Sequence, residues 1–109
     1  MRDYLLVTKA LANESRIRIL KLLETGRLCV SHICDVIGLR QSTVSKHLFT
    51  LRTAGLVDDQ KDGIWVYYRL CDERINDYNL VFLELIRCWL NGDKKILADK
   101  EKLKIILNR

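Results

Sequence analysis

The sequence lacks what a membrane protein or an enzyme would need. Its longest apolar runs, such as Tyr78 to Ile86, are broken by charges well before the ~20 residues of a membrane span, and its first residues have no signal-peptide core. Only two histidines are present, and neither belongs to a Ser/His/Asp or Cys/His grouping. We therefore expect a cytoplasmic protein that is not an enzyme, with no membrane partner and no organic cofactor.

Acidic residues are absent between Val36 and Val57, whereas Arg40, Lys46 and Arg52 place positive charge in that same stretch. Over the whole chain, 19 Lys and Arg against 14 Asp and Glu give a formal net charge of +5. A local excess of cations without carboxylates suits contact with DNA phosphates. The charge pattern therefore predicts a polyanionic partner whose phosphates meet this stretch of the chain.

The length limits how many cores the chain can build. With 109 residues, of which 49% are hydrophobic, there is material for one compact core and little for a second. No internal repeat or low-complexity tract divides the chain. We predict a single domain over 1–109, in which 93–109 is a C-terminal helical extension.

Four cysteines stand at positions 29, 34, 71 and 88. Nothing in the sequence indicates secretion, so we expect reduced thiols rather than disulfides. A partly exposed thiol in a reducing compartment is a candidate metal, metalloid or redox site, whereas a buried one is a small hydrophobe. Cys71 and Cys88 lie among apolar neighbours, and we expect both in the core.

Two short helices joined by a tight turn are predicted in the middle of the chain. Ser31 is placed to cap the first, which runs to about Ile37, and Gly38 is placed to end it. The second, from Ser42 to Ala54, has an apolar stripe and an opposite polar face. This is the helix-turn-helix pattern, in which the second helix reads DNA. The expected contacts from its polar face are Gln41, Ser42, Thr43, Ser45, Lys46 and His47.

A β-hairpin follows the second of these helices. Leu56 to Gln60 and Ile64 to Leu70 read as its strands, and Asp62-Gly63 is a dipeptide preferred in two-residue turns. A hairpin beside a recognition helix is typical of a wing that touches the DNA backbone. We expect Lys61 and Arg69 to contact phosphates from it.

The flanking segments predict helices on both sides of the DNA-reading unit. Tyr4 to Ala12 is apolar, Asn13 or Ser15 can cap a second helix, and a long helix is expected from Asp72 or Asn76 to about Leu90. Its apolar residues cover more than one stripe, which predicts a dimer formed with the N-terminal helix. The expected fold is mainly α with a small β-hairpin wing (α+β), a dimeric winged helix-turn-helix.

Several ordered motifs carry a resemblance to a known family. Ala10–Leu20 (ALANESRIRIL), Gln41–Leu48 (QSTVSKHL), Leu51–Val57 (LRTAGLV) and the wing through Leu70 resemble the ArsR/SmtB family of metalloregulatory repressors over roughly Leu6 to Leu90. The proline common in the first motif is absent here. The resemblance implies a homodimer that binds operator DNA near its own promoter and releases it when an effector binds.

The segment Leu28–Cys34 (LCVSHIC) is similar to the arsenic-sensing branch, whose equivalent reads LCVCDLC. Cys29 and Cys34 match the outer cysteines, and Ser31 replaces the middle one. Trivalent arsenic and antimony prefer three soft thiolates. We expect one of them to bind Cys29 and Cys34, with the third position filled by a small thiol, by water, or by Cys71 or Cys88.

Other interpretations of the cysteines and of the fold remain open. Cys29 and Cys34 could simply pack beneath the helix-turn-helix, or either could pair with Cys88 in a thiol redox or polysulfide sensor. A zinc site like that of other family branches is disfavoured, because the last long helix has Asp77 and Glu84 but no histidine. A winged helix that serves purely as a protein-interaction module is a further alternative.

Overall fold

The computed structural model describes residues 1–109. Along the chain the elements are α1 (Arg2–Leu11), α2 (Glu14–Leu23), β1 (Leu28–Cys29), α3 (Val30–Ile37), α4 (Gln41–Thr53), β2 (Val57–Asp62), β3 (Trp65–Leu70), α5 (Asn79–Cys88) and α6 (Lys94–Leu107). The predicted mainly helical fold with a β-hairpin wing is confirmed. None of the helices has the length and apolar character required to cross a bilayer.

The helix-turn-helix consists of α3 and α4. Gly38 ends α3 in the left-handed conformation, with φ of 80°, as a C-cap glycine does. The predicted cap at Ser31 is wrong, because α3 starts at Val30 and Cys29 occupies the N-cap position without a side-chain cap bond. The reason is that Cys29 is already held in extended geometry by β1, so the helix can begin directly after it. On α4 the buried stripe is Val44, Leu48 and Leu51.

The wing is the hairpin of β2 and β3, and β1 adds to its other edge in the order β1-β3-β2. Asp62 pairs with Trp65, so the two-residue turn is Gly63-Ile64 rather than the expected Asp62-Gly63. Only Gly63 there has positive φ, at 63°, which matches a II′ turn with glycine in the first central position. A turn that starts one residue later leaves Asp62 within the strand ladder.

The helix expected from Asp72 to Leu90 is much shorter in the structure, because α5 spans only Asn79–Cys88. Asn76 Oδ1 accepts from the backbone N–H groups of Tyr78 and Asn79 at 2.8 and 2.9 Å. The buried Asn79 donates to the carbonyls of Gly55 and Glu73 at 2.8 and 2.9 Å. Such side-chain hydrogen bonds compete with the backbone hydrogen bonds of a helix. The residues before α5 therefore form a turn held by side-chain hydrogen bonds instead of helix.

Gly55 allows that turn to pack against the end of α4. Its φ is 78°, and a Cβ built there would lie 2.9 Å from Ile75 Cβ and 3.2 Å from Asn79 Cβ. A side chain would therefore be strained and would also push the Asn79 segment away. Gly55 therefore follows the C-cap of α4 at a position that needs glycine for both its conformation and this close approach.

The C-terminal helix α6 packs on α2 and α3. It begins at Asp93, whose carboxylate accepts from the N–H groups of Lys95 and Ile96, and Leu103 and Ile106 join the main hydrophobic cluster. Arg18 forms a two-bond pair with Asp99, at 2.7 and 2.8 Å. The segment 93–109 thus contains one helix, which is attached to the rest of the chain through both apolar and charged groups.

Candidate nucleic-acid interface and thiol site

The polar side chains in the first half of α4, Gln41, Ser42, Thr43, Ser45 and Lys46, have no hydrogen-bond or ion-pair partner within the chain. Gln41, Ser42, Ser45 and Lys46 are exposed, and Thr43 is half-buried. The helix has no acidic residue in its first turn, so its first backbone N–H groups and its side chains present only donors and neutral groups. Such a surface can bond phosphate oxygens and base edges.

Arg40 is a cation that the expected set of DNA contacts left out. It is the N-cap residue of α4, makes no side-chain cap bond and is exposed. Its side chain therefore projects beside the same helix end as Gln41 and Ser42. The sequence signal for this contact is the stretch without acidic residues between Val36 and Val57, which contains Arg40.

His47 lies apart from the other α4 residues of the expected set. It is half-buried, and its Nδ1 lies 3.4 Å from Arg16 Nη1. Arg16 in turn donates to the α1 carbonyls of Ala10 and Lys9 at 2.7 and 3.0 Å. Burial first, and then the Arg16 charge, lower the pKa of His47 below its ordinary value. The neutral ring therefore helps to join α4 to α1.

The two wing cations of the expected set differ in their surroundings. Lys61 is exposed and has no ion-pair partner, whereas Arg69 Nε lies 2.7 Å from Asp58 Oδ1 and its Nη1 lies 3.6 Å from Asp72 Oδ2. The bond and charge of Asp58 raise the pKa of Arg69. Arg69 would have to exchange a carboxylate for a phosphate before it could contact DNA.

Cys29 is the N-cap residue of α3 and Cys34 lies in the second turn of that helix. Both are half-buried. Cys29 Sγ is 3.1 Å from Ser31 Oγ, so the hydroxyl that replaces the third cysteine of the related motif is directly beside the first thiol. Burial, followed by the Asp35 charge, raises the pKa of Cys34 above its ordinary value. Cys34 is therefore a neutral thiol at physiological pH, which must lose a proton to bind a soft ion.

The structure places no further ligand with this pair, since no group of three or more His, Cys, Asp or Glu side chains is arranged to hold a metal ion. Cys71 is buried as expected and donates to the Glu73 carbonyl at 3.3 Å. The expectation of a buried Cys88 is wrong, because that thiol is exposed. Cys88 lies at the last turn of the shortened α5, where the helix presents it to solvent.

Comparisons with known proteins agree with this geometry. The model of the family described as "Bacterial regulatory protein, arsR family" matches residues 13–59. The HTH-type transcriptional regulator MJ1325 of Methanocaldococcus jannaschii is 40% identical over 72 residues, which are 65% of this chain and 81% of that protein. The chain belongs to the arsR family of bacterial regulatory proteins.

Relatives in this family include proteins named for arsenic resistance. The arsenical resistance operon repressor of Bacillus subtilis is 36% identical over 77 residues, covering 70% of this chain and 73% of the repressor. The repressor of the same name from Escherichia coli is 48% identical over 63 residues, covering 57% of this chain and 54% of that protein. The chain thus spans about half the length of the Escherichia coli repressor.

Solved structures extend the likeness to the whole fold. HlyU from Vibrio cholerae is 32% identical with a TM-score of 0.66, over 81% of this chain and 92% of that one. The homodimeric winged helix-turn-helix domain of Mb0332 from Mycobacterium bovis is 31% identical with a TM-score of 0.67, over 80% and 77%. This arsR-family protein is therefore a winged helix-turn-helix.

Proposed function

We propose that this protein is a transcriptional repressor that binds a specific operator in double-stranded DNA through α4 and the wing. The observation that carries the proposal is the free polar face of α4, with exposed Gln41, Ser42, Ser45 and Lys46 and no carboxylate on the helix. Thr43 belongs to the α4 set, and His47 joins it once its ring leaves Arg16. Lys61 adds a free cation from the wing, and Arg69 adds one after exchange with Asp58. The whole chain would act as one winged-helix domain, in which 93–109 is the extension.

The first experiment measures binding to the DNA upstream of the protein's own gene over a range of salt concentrations. Lys46→Ala should lower affinity and reduce the slope of log K against log salt by about one, because one phosphate contact is lost. Lys102→Ala, which also removes an exposed lysine but from α6, is the matched control. Unchanged affinity and slope in Lys46→Ala would contradict the placement. Absence of any salt-dependent DNA binding would favour a protein-interaction module.

We further propose that the working form is a homodimer built on α1 and α5. Tyr4 and Leu5 of α1 are 42% and 41% exposed, and Val81 and Trp89 in and after α5 are 60% and 53% exposed. These apolar groups are costly to leave in water. They lie on adjoining elements, because the Tyr4 ring meets the Tyr78 ring edge to face, with centroids 5.4 Å apart. Homodimeric Mb0332 has the same fold. A monomeric mass by light scattering at micromolar concentration would refute the dimer.

The effector we propose is trivalent arsenic or antimony, bound by the thiolates of Cys29 and Cys34. The donors fit in kind, because soft ions select thiolates, and the half-buried pair brackets the first turns of α3. In number they fall one short of the preferred three, and a small thiol or water would supply the remaining bond. Relatives named for arsenical resistance and for cadmium resistance support an ion of this class. Binding to both thiols would distort α3, which packs on α4.

The test compares operator release by arsenite in the native protein and in the Cys29→Ser, Cys34→Ser double variant. Release should require both thiols. The affinity for arsenite should increase as pH rises, because Cys34 must lose its proton to bind. Cys71→Ser and Cys88→Ser, tested singly, show whether either supplies the third bond. Ser31→Cys should strengthen the response sharply if the third bond comes from outside the chain. Equal release in the native protein and the double variant would remove this effector.

A second candidate effector is an oxidising polysulfide, favoured by one observation. Cys88 is exposed at the end of α5, so its thiol is open to an oxidant in solution, and a structure of reduced HlyU shares this fold. Two thiols would then lose two protons and two electrons to form a disulfide while the polysulfide is reduced. Operator release by polysulfide but not by arsenite, abolished in Cys88→Ser, would favour this candidate.

A further inference from the structure

The strand that carries Cys29 is also part of the wing sheet. In the register of β1 and β3, Cys29 stands opposite Tyr67, and Tyr67 stands opposite Gln60 of β2. Directly opposite residues of an antiparallel pair project from the same face of a sheet. The Cys29 thiol and the Tyr67 ring therefore share one face, and the thiol site adjoins the wing as well as α3.

Arg27 connects this row to the tip of the wing. It lies two residues before Cys29, and its guanidinium carbon is 4.1 Å from the centroid of the Tyr67 ring, within the range of a cation–π contact. The same guanidinium donates to Asp62 Oδ2 at 3.2 Å. Asp62 is the last residue of β2 before the turn. One side chain thus bridges from the strand beside the thiol to the end of the hairpin.

Little else fixes the outer half of the wing. Ile64 is 90% exposed and Trp65 is 58% exposed, so no core packing holds the tip. The Arg27 and Asp62 side chains are themselves 45% and 65% exposed. Because exposed ion pairs and cation–π contacts are individually weak, this bridge can be broken by a modest change beside it.

We propose that Arg27 is a positioning residue for the wing, and that a group bound at Cys29 acts on DNA binding by displacing Arg27 from Tyr67. The second half of the proposal rests on the proposed role of Cys29 as an effector ligand. A bound group enlarges the Cys29 side chain on the face where the guanidinium is stacked. Displacement releases Asp62 and lets the wing tip move. This route reaches the wing through β1 and is separate from any distortion of α3.

The experiment uses the indole of Trp65, which stands opposite Asp62, as a reporter of the wing tip. Trp89→Phe leaves Trp65 as the sole tryptophan, and Cys34→Ser with Cys88→Ser leaves Cys29 and the buried Cys71. Methyl methanethiosulfonate is the probe. The Cys29 thiolate attacks its sulfenyl sulfur, a disulfide to S-methyl forms, and methanesulfinate leaves. Mass spectrometry confirms that one methylthio group has been added.

Modification should change Trp65 emission and lower operator affinity by about fivefold, the size of one weak surface interaction. Arg27→Gln should lower affinity by about the same factor, and modification should then add nothing. Arg27→Lys keeps the charge but not the planar group that stacks on tyrosine and should behave as Arg27→Gln. Arg109→Gln, with the same loss of charge at the C-terminal residue, should leave the response to modification intact.

The inference is overturned if modification leaves Trp65 emission unchanged, or if it lowers affinity equally with and without Arg27. These outcomes do not depend on arsenite. A wing that responds to the methylthio group in a protein whose native form ignores arsenite would sustain the role of Arg27 and remove the proposed effector. If arsenite releases the operator but Trp65 emission does not respond to modification, the proposed effector is sustained and the role of Arg27 is removed.

Discussion

The Arg18–Asp99 ion pair between α2 and α6 differs in burial from the ion pairs of the wing. Arg18 and Asp99 are 13% and 7% exposed and share two short hydrogen bonds. In the wing, each aspartate of β2 also faces an arginine, but these pairs are far more open to water. They are Arg69–Asp58, Arg52–Asp59 and Arg27–Asp62.

This difference indicates which contacts the protein can exchange. A buried charge that loses its partner is left uncompensated at high cost, so the α2–α6 side is held fixed. An exposed pair gains little and is screened by salt, so its arginine can move to a phosphate at small cost. The hairpin that we propose to face DNA is therefore held by contacts that DNA phosphates can replace.

The largest effect is expected from Lys21→Met, which removes another buried cation of α2. The Lys21 side chain is 1% exposed, and its ammonium donates to the carbonyls of Ile86 and Trp89 and pairs with Glu24 at 2.8 Å. Methionine fills the space but leaves these acceptors without a donor. We expect a loss of about 3 kcal/mol in the free energy of unfolding, measured with urea. Lys102→Met, at an exposed position of α6, should change it by less than about 0.5 kcal/mol. A loss as small as the control's would mean that water replaces the ammonium.

The helix-turn-helix and the wing were predictable from the sequence because local signals specify them. Gly38 and Gly55 mark where the chain needs positive φ, and the apolar stripe of α4 has helical spacing. The start of α5 was not predictable, because it depends on Asn79 reaching the carbonyl of Gly55, 24 residues earlier. Sequence patterns contain periodicity but not such long-range bonds, so they predict a helix that starts at Asp72 or Asn76.

The candidate site shows the same limit. The residues of the α4 face were found from their polarity and from the absence of acids, and Cys29 and Cys34 from their resemblance to a motif. The pairing of Arg69 with Asp58 was not found, because it depends on the strand register that brings them opposite each other. The Arg16–His47 contact joins side chains 31 residues apart, so it could not be predicted from the sequence either.

The exchangeable side is tested by Asp58→Asn. Without the carboxylate, Arg69 keeps its charge but loses its main partner and becomes free to contact a phosphate. We expect operator affinity to rise about threefold and the salt slope to steepen by up to about one. Asp77→Asn removes a carboxylate paired with Arg74 outside the helix-turn-helix and wing, and should have a smaller effect on both quantities. Equal effects in the two variants would indicate that only net charge matters.

The smallest expected effect concerns His47, which lies between the fixed and the exchangeable sides. Because the folded protein lowers the pKa of His47, the folded state favours the neutral ring. The stability this contributes is present above the ordinary histidine pKa of about 6.5 and is lost as pH falls through the lowered folded value. His47→Gln keeps an acceptor for Arg16 but cannot titrate. The change in unfolding free energy between about pH 7.5 and about pH 5.5 should therefore be larger in the native protein than in the variant, by less than about 1 kcal/mol because His47 is partly solvated. His32 and the carboxylates are common to both proteins and cancel in this difference. An identical pH dependence in the two proteins would show that His47 is free of Arg16 in solution, and the ring would then be available to DNA like the rest of the α4 face.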